Sequence, residues 1–309
     1  MPAFCTHYIL ASEEMSNLHR IAAESGFKLC ENAVYIGSQG PDIFFFHRTL
    51  PWQKGKPLRA AGSAMHRAKF GDILDRFADY IKASIEPDIA KSYAYGFILH
   101  YAADRNCHPY IYYLQNRLTD KHPKLNPNSA HNMIEFALDS VMLQRKAGIE
   151  SPRGFDASQT FNFTQAEKHE IGKMLEAASP AFAPPQITAR DAEFAIEDTK
   201  NAERLLTDAN GRKAAFFSKA EKLAAPLTNN FKISSFIRND DLENDFKCVN
   251  INNRPWKSPF SGKESRQSFF DLYELSKKDA LDMIKEFELA LCGKDITGNL
   301  SFLTGTEVK

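Results

Sequence analysis

The chain has 309 residues, 39 Lys and Arg against 39 Asp and Glu, and 43% hydrophobic residues, the profile of an ordinary soluble globular protein. A formal charge of zero gives no broad positive surface and no basic arm, so strong nucleic-acid binding is not expected. The longest nearly uncharged apolar stretch, Ser92 to Ala103, contains His100 and falls short of the roughly 18 residues that a membrane-spanning helix needs.

Up to Met15 no basic segment leads into a long apolar run, and Glu13 and Glu14 come early, so no secretion signal is expected. Cys5, Cys30, Cys107, Cys248 and Cys292 are scattered and form no CxxC pair. Reduced thiols in a cytoplasm fit that pattern better than a disulfide framework or a thiolate zinc site.

Apolar residues recur at three- and four-residue spacing while alternating strand patterns are scarce, which predicts an all-α protein. The first helix is expected over about 12–25, with His7 to Ala11 either its lead-in or its first turn. From Gly37 to Lys56 the helical pattern fails: Gly40-Pro41 marks a turn, Phe44 to Phe46 form an apolar run, and Pro51 and Pro57 exclude an uninterrupted helix. A shaped, partly buried loop is predicted there. Further helices are expected over about 63–84, 88–107, 129–147, 165–178, 189–209, 212–223 and 267–291. Between about Pro226 and Gly262 an irregular stretch rich in Asn, Ser and Pro carries Trp256 between Pro255 and Pro259, long enough to suggest a function or local mobility. No linker-like composition divides the chain. One helical domain over 1–309 is therefore expected, with a ligand-bearing half 1–150 and an elaborated helical half 151–309.

Of the nine histidines only His169 lies beyond residue 131, which marks the first half as the chemical one. His100, Asp104 and His108 stand at i, i+4 and i+8, so their side chains share one stripe of a helix. Pro109 disfavours helical geometry at His108, which places His108 at the helix C-terminus, where the dipole favours a cation. His131 and Glu135 repeat the spacing on the next helix. Taken singly, such a pair is more often a surface hydrogen bond. Here the polar residues sit among Phe97, Ile98, Leu99, Tyr101, Ile134, Phe136 and Leu138, and a carboxylate in apolar surroundings needs a cation or metal. Two helices that each present imidazole and carboxylate can build a metal site in a bundle interior.

Five segments in order now resemble the zinc-dependent phospholipase C family, whose helical fold is shared with the single-strand-specific zinc nucleases. They are Thr6-His7-Tyr8, Gly40-Pro41-Asp42-Ile43-Phe44-Phe45-Phe46, Met65-His66-Arg67, the helix from His100 to His108, and His131-Asn132-Met133-Ile134-Glu135. Trp256-Lys257-Ser258-Pro259, followed by a helix from near Ser268, is a weaker likeness to the C-terminal part of such proteins. The resemblance implies a helical bundle of this type, with one zinc on Asp42, His66, His100 and Asp104 and a second on His108, His131 and Glu135. His7 and a bridging Asp104 would contribute to a third.

If the resemblance holds, the chain is a phospholipase C-like phosphodiester hydrolase in which a zinc-bound hydroxide attacks phosphorus in line. The substrate would be a phospholipid or another small phosphodiester. Asp42, offered from a loop, is the candidate to orient or deprotonate the attacking water, against the simpler reading that Pro41-Asp42 caps a turn. Most of Phe44 to Phe46 is expected in the core, although the run could line a pocket for a choline-like headgroup or stack a base. His19, His47, His122 and His169 are expected at the surface or in hydrogen bonds. A single-strand nuclease or nucleotidase on the same fold, and a noncatalytic metal-binding protein, are the alternatives.

Overall fold

The computed structural model describes residues 3–49, 53–182, 186–225, 228–290 and 294–308. Pro51, Pro226 and Cys292 lie outside these residues. Among the described residues nearly all regular structure is helical, as the spacing of apolar residues predicts. The cysteines described are free thiols, and no described helix is long and apolar enough to cross a membrane.

Helix α1 spans Phe4–Glu24 and buries Cys5, Leu10, Leu18 and Ile21. It begins before the expected start, so His7 lies within it rather than in a lead-in. A short α2, Glu31–Gly37, was not apparent from periodicity because seven residues give too few repeats to show a face. After it come a 3-10 turn, Gly40–Asp42, and a single helical turn α3, Ile43–Phe46. The expected helix over 63–84 is two helices, α4 (Arg59–Arg67) and α5 (Phe70–Ala83), separated where Ala68 and Lys69 become extended. The break lets α4 end at the site while α5 lays Phe70, Ile73 and Phe77 into the core.

Helix α6, Pro87–Lys121, is the organising element and packs against α1, α2, α5 and three helices introduced below. Its contact with α2 is backbone on backbone: a Cβ at Gly37 would fall 2.2 Å from the Tyr93 carbonyl oxygen, and one at Gly96 would fall 2.1 Å from that of Val34. The expectation that this helix ends at His108 is wrong. Pro109 sits inside it and the helix runs on to Lys121. An interior proline costs roughly 3 kcal/mol. Continuing the helix buries Tyr110 and Ile111, and burial of each large apolar side chain contributes about 1.5–3 kcal/mol.

Helix α7, Pro127–Ala147, starts with Asn126, whose side-chain oxygen accepts the N–H groups of Asn128 and Ser129 at 3.0 and 3.4 Å. Helices α8 (Gln165–Ala178) and α9 (Ala189–Leu206) each open with a capping box, Thr164 with Glu167 and Thr188 with Asp191. Then follow α10 (Arg212–Ala224) and the irregular stretch, which contains a 3-10 turn Ile233–Phe236, a helical turn α11 (Leu242–Asp245) and a further 3-10 turn Phe246–Cys248. A small antiparallel hairpin pairs β1 (Trp256–Lys257) with β2 (Glu264–Ser265). Ser268 and Asp271 cap α12, Phe269–Ala290, and a last turn α13 covers Lys294–Thr297. Helices α7, α8 and α12 pack on α6. The C-terminal segment then returns over α6, where Tyr101 donates its hydroxyl to the Leu300 carbonyl at 2.7 Å and Phe302 is buried against Phe70 and Tyr101.

Candidate metal centre

Four helices and one turn direct polar side chains to a single buried region. His7 comes from α1, Asp42 from the 3-10 turn, and His66 from the last turn of α4. His100, Asp104 and His108 come from the middle of α6, and His131 and Glu135 from the start of α7. Asp104 is fully buried at the centre. Its carboxylate lies 3.3 Å from His7 Nε2, 3.2 Å from His100 Nε2 and 3.5 Å from His66 Nε2. His66 Nε2 also lies 3.4 Å from Asp42 Oδ1. A second group stands beside the first, with His131 Nε2 2.7 Å from Glu135 Oε1 and His108 Nδ1 3.9 Å from Asp104 Oδ2.

The far side of four rings is already fixed. Nδ1 of His66 donates to the Gly62 carbonyl at 2.8 Å, that of His100 to Ser38 at 3.1 Å and that of His108 to Phe302 at 2.6 Å. His131 Nδ1 donates to the side-chain oxygen of Gln115 at 2.8 Å. Because these oxygens can only accept, Nδ1 carries a proton in each ring and Nε2 is the nitrogen turned to the interior, the orientation of a metal-ligating imidazole.

What those inner atoms face is unusual for a protein core. His7 Nε2, His66 Nε2, His100 Nε2, Asp42 Oδ1 and both oxygens of Asp104 are buried and make no well-aligned hydrogen bond. One such atom costs about 1–3 kcal/mol. Several converging ones could share one cation. Among the described residues three sets have candidate ligand atoms mutually within 4.8 Å: His7, Asp42 and His100; His66, His100 and Asp104; and His108, His131 and Glu135. Nitrogen and carboxylate oxygen without thiolate suits zinc.

The electrostatics agree with a cation-seeking pocket. Burial opposes a charge on His66, yet the carboxylates of Asp104 and Asp42 push its pKa up to about 9. Burial also opposes the Asp104 anion, and the surrounding histidines, His100 first, hold its carboxyl well below the usual range. Burial is likewise outweighed at Glu135, whose pKa His131 pulls down to about 2. His7 and His108 are depressed chiefly by burial, which keeps them neutral.

The backbone around the site is built to admit these rings. Gly40 has φ +49°, and a Cβ there would meet His100 Cδ2 at 2.4 Å, so the Gly40-Pro41 turn has no room for a side chain. Of the Phe44 to Phe46 run, expected mostly in the core, only Phe44 is buried; Phe45 and Phe46 are partly exposed, and Phe45 stacks on His66 with ring centroids 5.6 Å apart. The centre opens toward solvent through His131 and Asp42, whose side chains are 16% and 12% exposed against 0% for His100 and Asp104.

The zinc dependent phospholipase C family model matches residues 6–186, a span that contains all eight side chains. The chain belongs to this family. No curated protein and no solved structure matches it significantly. The all-helical architecture is that of a zinc-dependent phospholipase C-type fold, and its long central helix α6 carries His100, Asp104 and His108 on one stripe.

Of the other histidines, His19 pairs with Glu31 and His169 with Glu193, both at 2.8 Å and exposed, and His122 lies exposed at the end of α6. His47 departs from expectation. It is buried, neither ring nitrogen is hydrogen-bonded, and its nearest carboxylate, Asp191, is 4.0 Å away. The supporting residues were harder to foresee. Gly62 stands one turn from the imidazole it holds, a spacing visible in sequence, whereas Ser38, Gln115 and Phe302 come from other elements, are brought in by the tertiary fold and carry no local signal.

Proposed function

We propose that this member of the zinc-dependent phospholipase C family hydrolyses the phosphodiester of phospholipid headgroups or of related small diesters. The observation that carries the reading is the convergence of unsatisfied, buried Nε2 and carboxylate atoms from His7, Asp42, His66, His100 and Asp104 beside the His108, His131 and Glu135 group. Asp42, His66, His100 and Asp104 would hold one zinc and His108, His131 and Glu135 a second, with His7 and Asp104 available to a third. Zinc in such a set supplies an acidified water and positive charge for phosphoryl oxygens.

The chain's own residues then do the remaining work. Asp42 is the carboxylate of the first group with access to solvent, and it orients the attacking water and accepts its proton. The carbonyls of Gly62, Ser38 and Phe302 and the side chain of Gln115 keep each imidazole in one tautomer and one orientation. Attack of water on phosphorus breaks the bond to the leaving alcohol and yields a phosphomonoester, with Asp42 taking one proton as the alkoxide gains another from solvent.

Purification without chelator, followed by zinc analysis and assays on a chromogenic phosphodiester, phosphatidylcholine, single-stranded DNA and a nucleoside monophosphate, tests the reading. About two zincs per chain and turnover of the diester and the lipid are expected, both abolished by Asp104→Asn. Cleavage of DNA or the monophosphate in preference to lipid would assign the nuclease or nucleotidase alternative. Full zinc with no turnover would assign a noncatalytic role.

A further inference from the structure

Helix α10 is built unlike the others. None of its residues is buried, although it carries two phenylalanines and a leucine. Phe216 and Leu223 are 67% and 86% exposed. They stand two turns apart on one stripe with Ala220 between them. An amphipathic helix of a globular protein normally hides that stripe. Here polar groups anchor the two ends of the helix instead: at its start the Asp208 carboxylate accepts the N–H groups of Lys213 and Ala214 at 3.0 and 2.8 Å, and Lys213 Nζ donates to the carbonyls of Leu205 and Thr207. At the other end Glu221 accepts the N–H and hydroxyl of Ser234 at 2.6 and 2.8 Å.

These anchors sort the charges. The one acidic residue of the helix, Glu221, is turned inward to Ser234, and Lys213 is tied to the end of α9. Arg212, Lys219 and Lys222 remain exposed and border the Phe216 and Leu223 stripe. An apolar stripe flanked by lysine and arginine, with no acidic side chain facing out, is the pattern of a helix that lies in the headgroup region of an anionic bilayer, apolar residues inserted and cations at the phosphates.

The position fits a lipid substrate. Helix α10 packs on the Ile233–Phe236 turn, which packs on α7, and Asn132 Nδ2 donates to Ser235 Oγ at 3.4 Å next to His131. Around the same group, Met133 and Phe260 are each 40% exposed, and Phe260 meets Tyr112 edge-on at 5.0 Å while Tyr112 packs on His131 at 4.8 Å.

We propose that the outer face of α10 is a docking surface for anionic phospholipid bilayers, which brings the His108, His131 and Glu135 group to the membrane. The proposal rests on the phospholipid reading for its biological sense, but its test is one of binding. The full chain is sedimented with vesicles of phosphatidylcholine containing phosphatidylglycerol, and with phosphatidylcholine alone. The parent protein is expected to co-sediment with the mixed vesicles. Since one lysine or arginine at an anionic surface contributes about five-fold in affinity, Lys219→Glu with Lys222→Glu should weaken binding by more than about tenfold, and Phe216→Ser with Leu223→Ser by about tenfold or more. Turnover of a soluble chromogenic diester should be unchanged in both variants, whose altered side chains are all at the surface.

A parent protein that stays in the supernatant, or either double variant sedimenting as the parent does, overturns the proposal. So does self-association of the parent that Phe216→Ser with Leu223→Ser abolishes in the absence of vesicle binding, which would give the face to a second copy of the chain. Vesicle binding by a protein inactive on every diester supports the docking surface while refuting the hydrolase. Turnover of the soluble diester without vesicle binding does the reverse.

Discussion

Asp139 of α7 accepts both the backbone N–H and the hydroxyl of Thr6, at 2.8 and 2.6 Å, one residue before His7. Its other oxygen accepts the Cys5 N–H at 2.9 Å. A buried carboxylate thus satisfies two N–H groups at the start of α1, which have no partner within the helix, and sets the depth at which His7 enters the centre. The guanidinium of Arg238 stands 3.9 Å from Asp139 and 3.4 Å from Glu203, so three buried charges depend on one another. Asp139→Asn keeps the shape but removes the charge and one acceptor. We expect a loss of about 2–4 kcal/mol in urea denaturation, together with weaker zinc binding at the group that contains His7. Parent-like stability would show that the carboxylate charge is not what holds α1.

Gly40 offers a second handle on the same centre. A methyl group there meets His100 at 2.4 Å on a backbone with φ +49°. Gly40→Ala must move either the turn that carries Asp42 or the ring that faces Asp104. Backbone strain of this kind costs about 1–3 kcal/mol. Metal analysis after dialysis should show the variant short of the zinc held by Asp42, His66, His100 and Asp104 while that on His108, His131 and Glu135 stays. A metal content equal to the parent's would mean the turn yields without disturbing either ligand.

A carboxylate of α11 gives a pH signature of its own. Burial, with Asp241 adding to it, raises the Asp245 carboxyl from 3.8 to about 7, against a hydrogen bond from Asn239. The folded chain therefore holds this proton more tightly than the unfolded one. Its contribution to stability is fully present below pH 4 or so and is lost as pH climbs through about 7. Asp245→Asn mimics the protonated form and should raise the melting temperature at pH 8 relative to the parent, with little difference at pH 4. Equal differences at the two pH values would place the effect in packing rather than ionisation.

How much of this was legible in the sequence differs by scale. The i, i+4, i+8 spacing of His100, Asp104 and His108 survives intact because a stripe is a local property of one helix. The end of that helix is not legible in the same way, because a penalty at Pro109 is local while the burial of Tyr110 and Ile111 that outweighs it is tertiary. The split between α4 and α5 is similar, since the apolar pattern runs through Ala68 and Lys69 without a glycine or proline to mark the turn. Ser38 and Phe302, 62 and 194 residues from the histidines they orient, supply only a backbone carbonyl, and any residue type can do so.

The proton on His66 makes a prediction about zinc itself. With Asp104 and Asp42 beside it, the metal-free imidazole has a pKa of about 9 and is charged at neutral pH. To ligate, Nε2 must lose that proton, so uptake of zinc at this group releases it and binding competes with protons. The sign follows directly: affinity rises with pH below about 9 and levels off above it, by up to about tenfold per unit for one proton. The neutral His7 and the ionised Asp104 release nothing and add no slope. Calorimetric titration of the chelator-treated protein in two buffers of different ionisation enthalpy counts the protons directly. About one released per zinc at the Asp104 group is expected near pH 7, falling toward none above about 9, and His66→Ala should both weaken binding and remove the release. Binding that is independent of pH between 6 and 9 would mean that His66 does not meet the metal, and that the contacts at 3.4 and 3.5 Å to Asp42 and Asp104 are an ion pair in their own right.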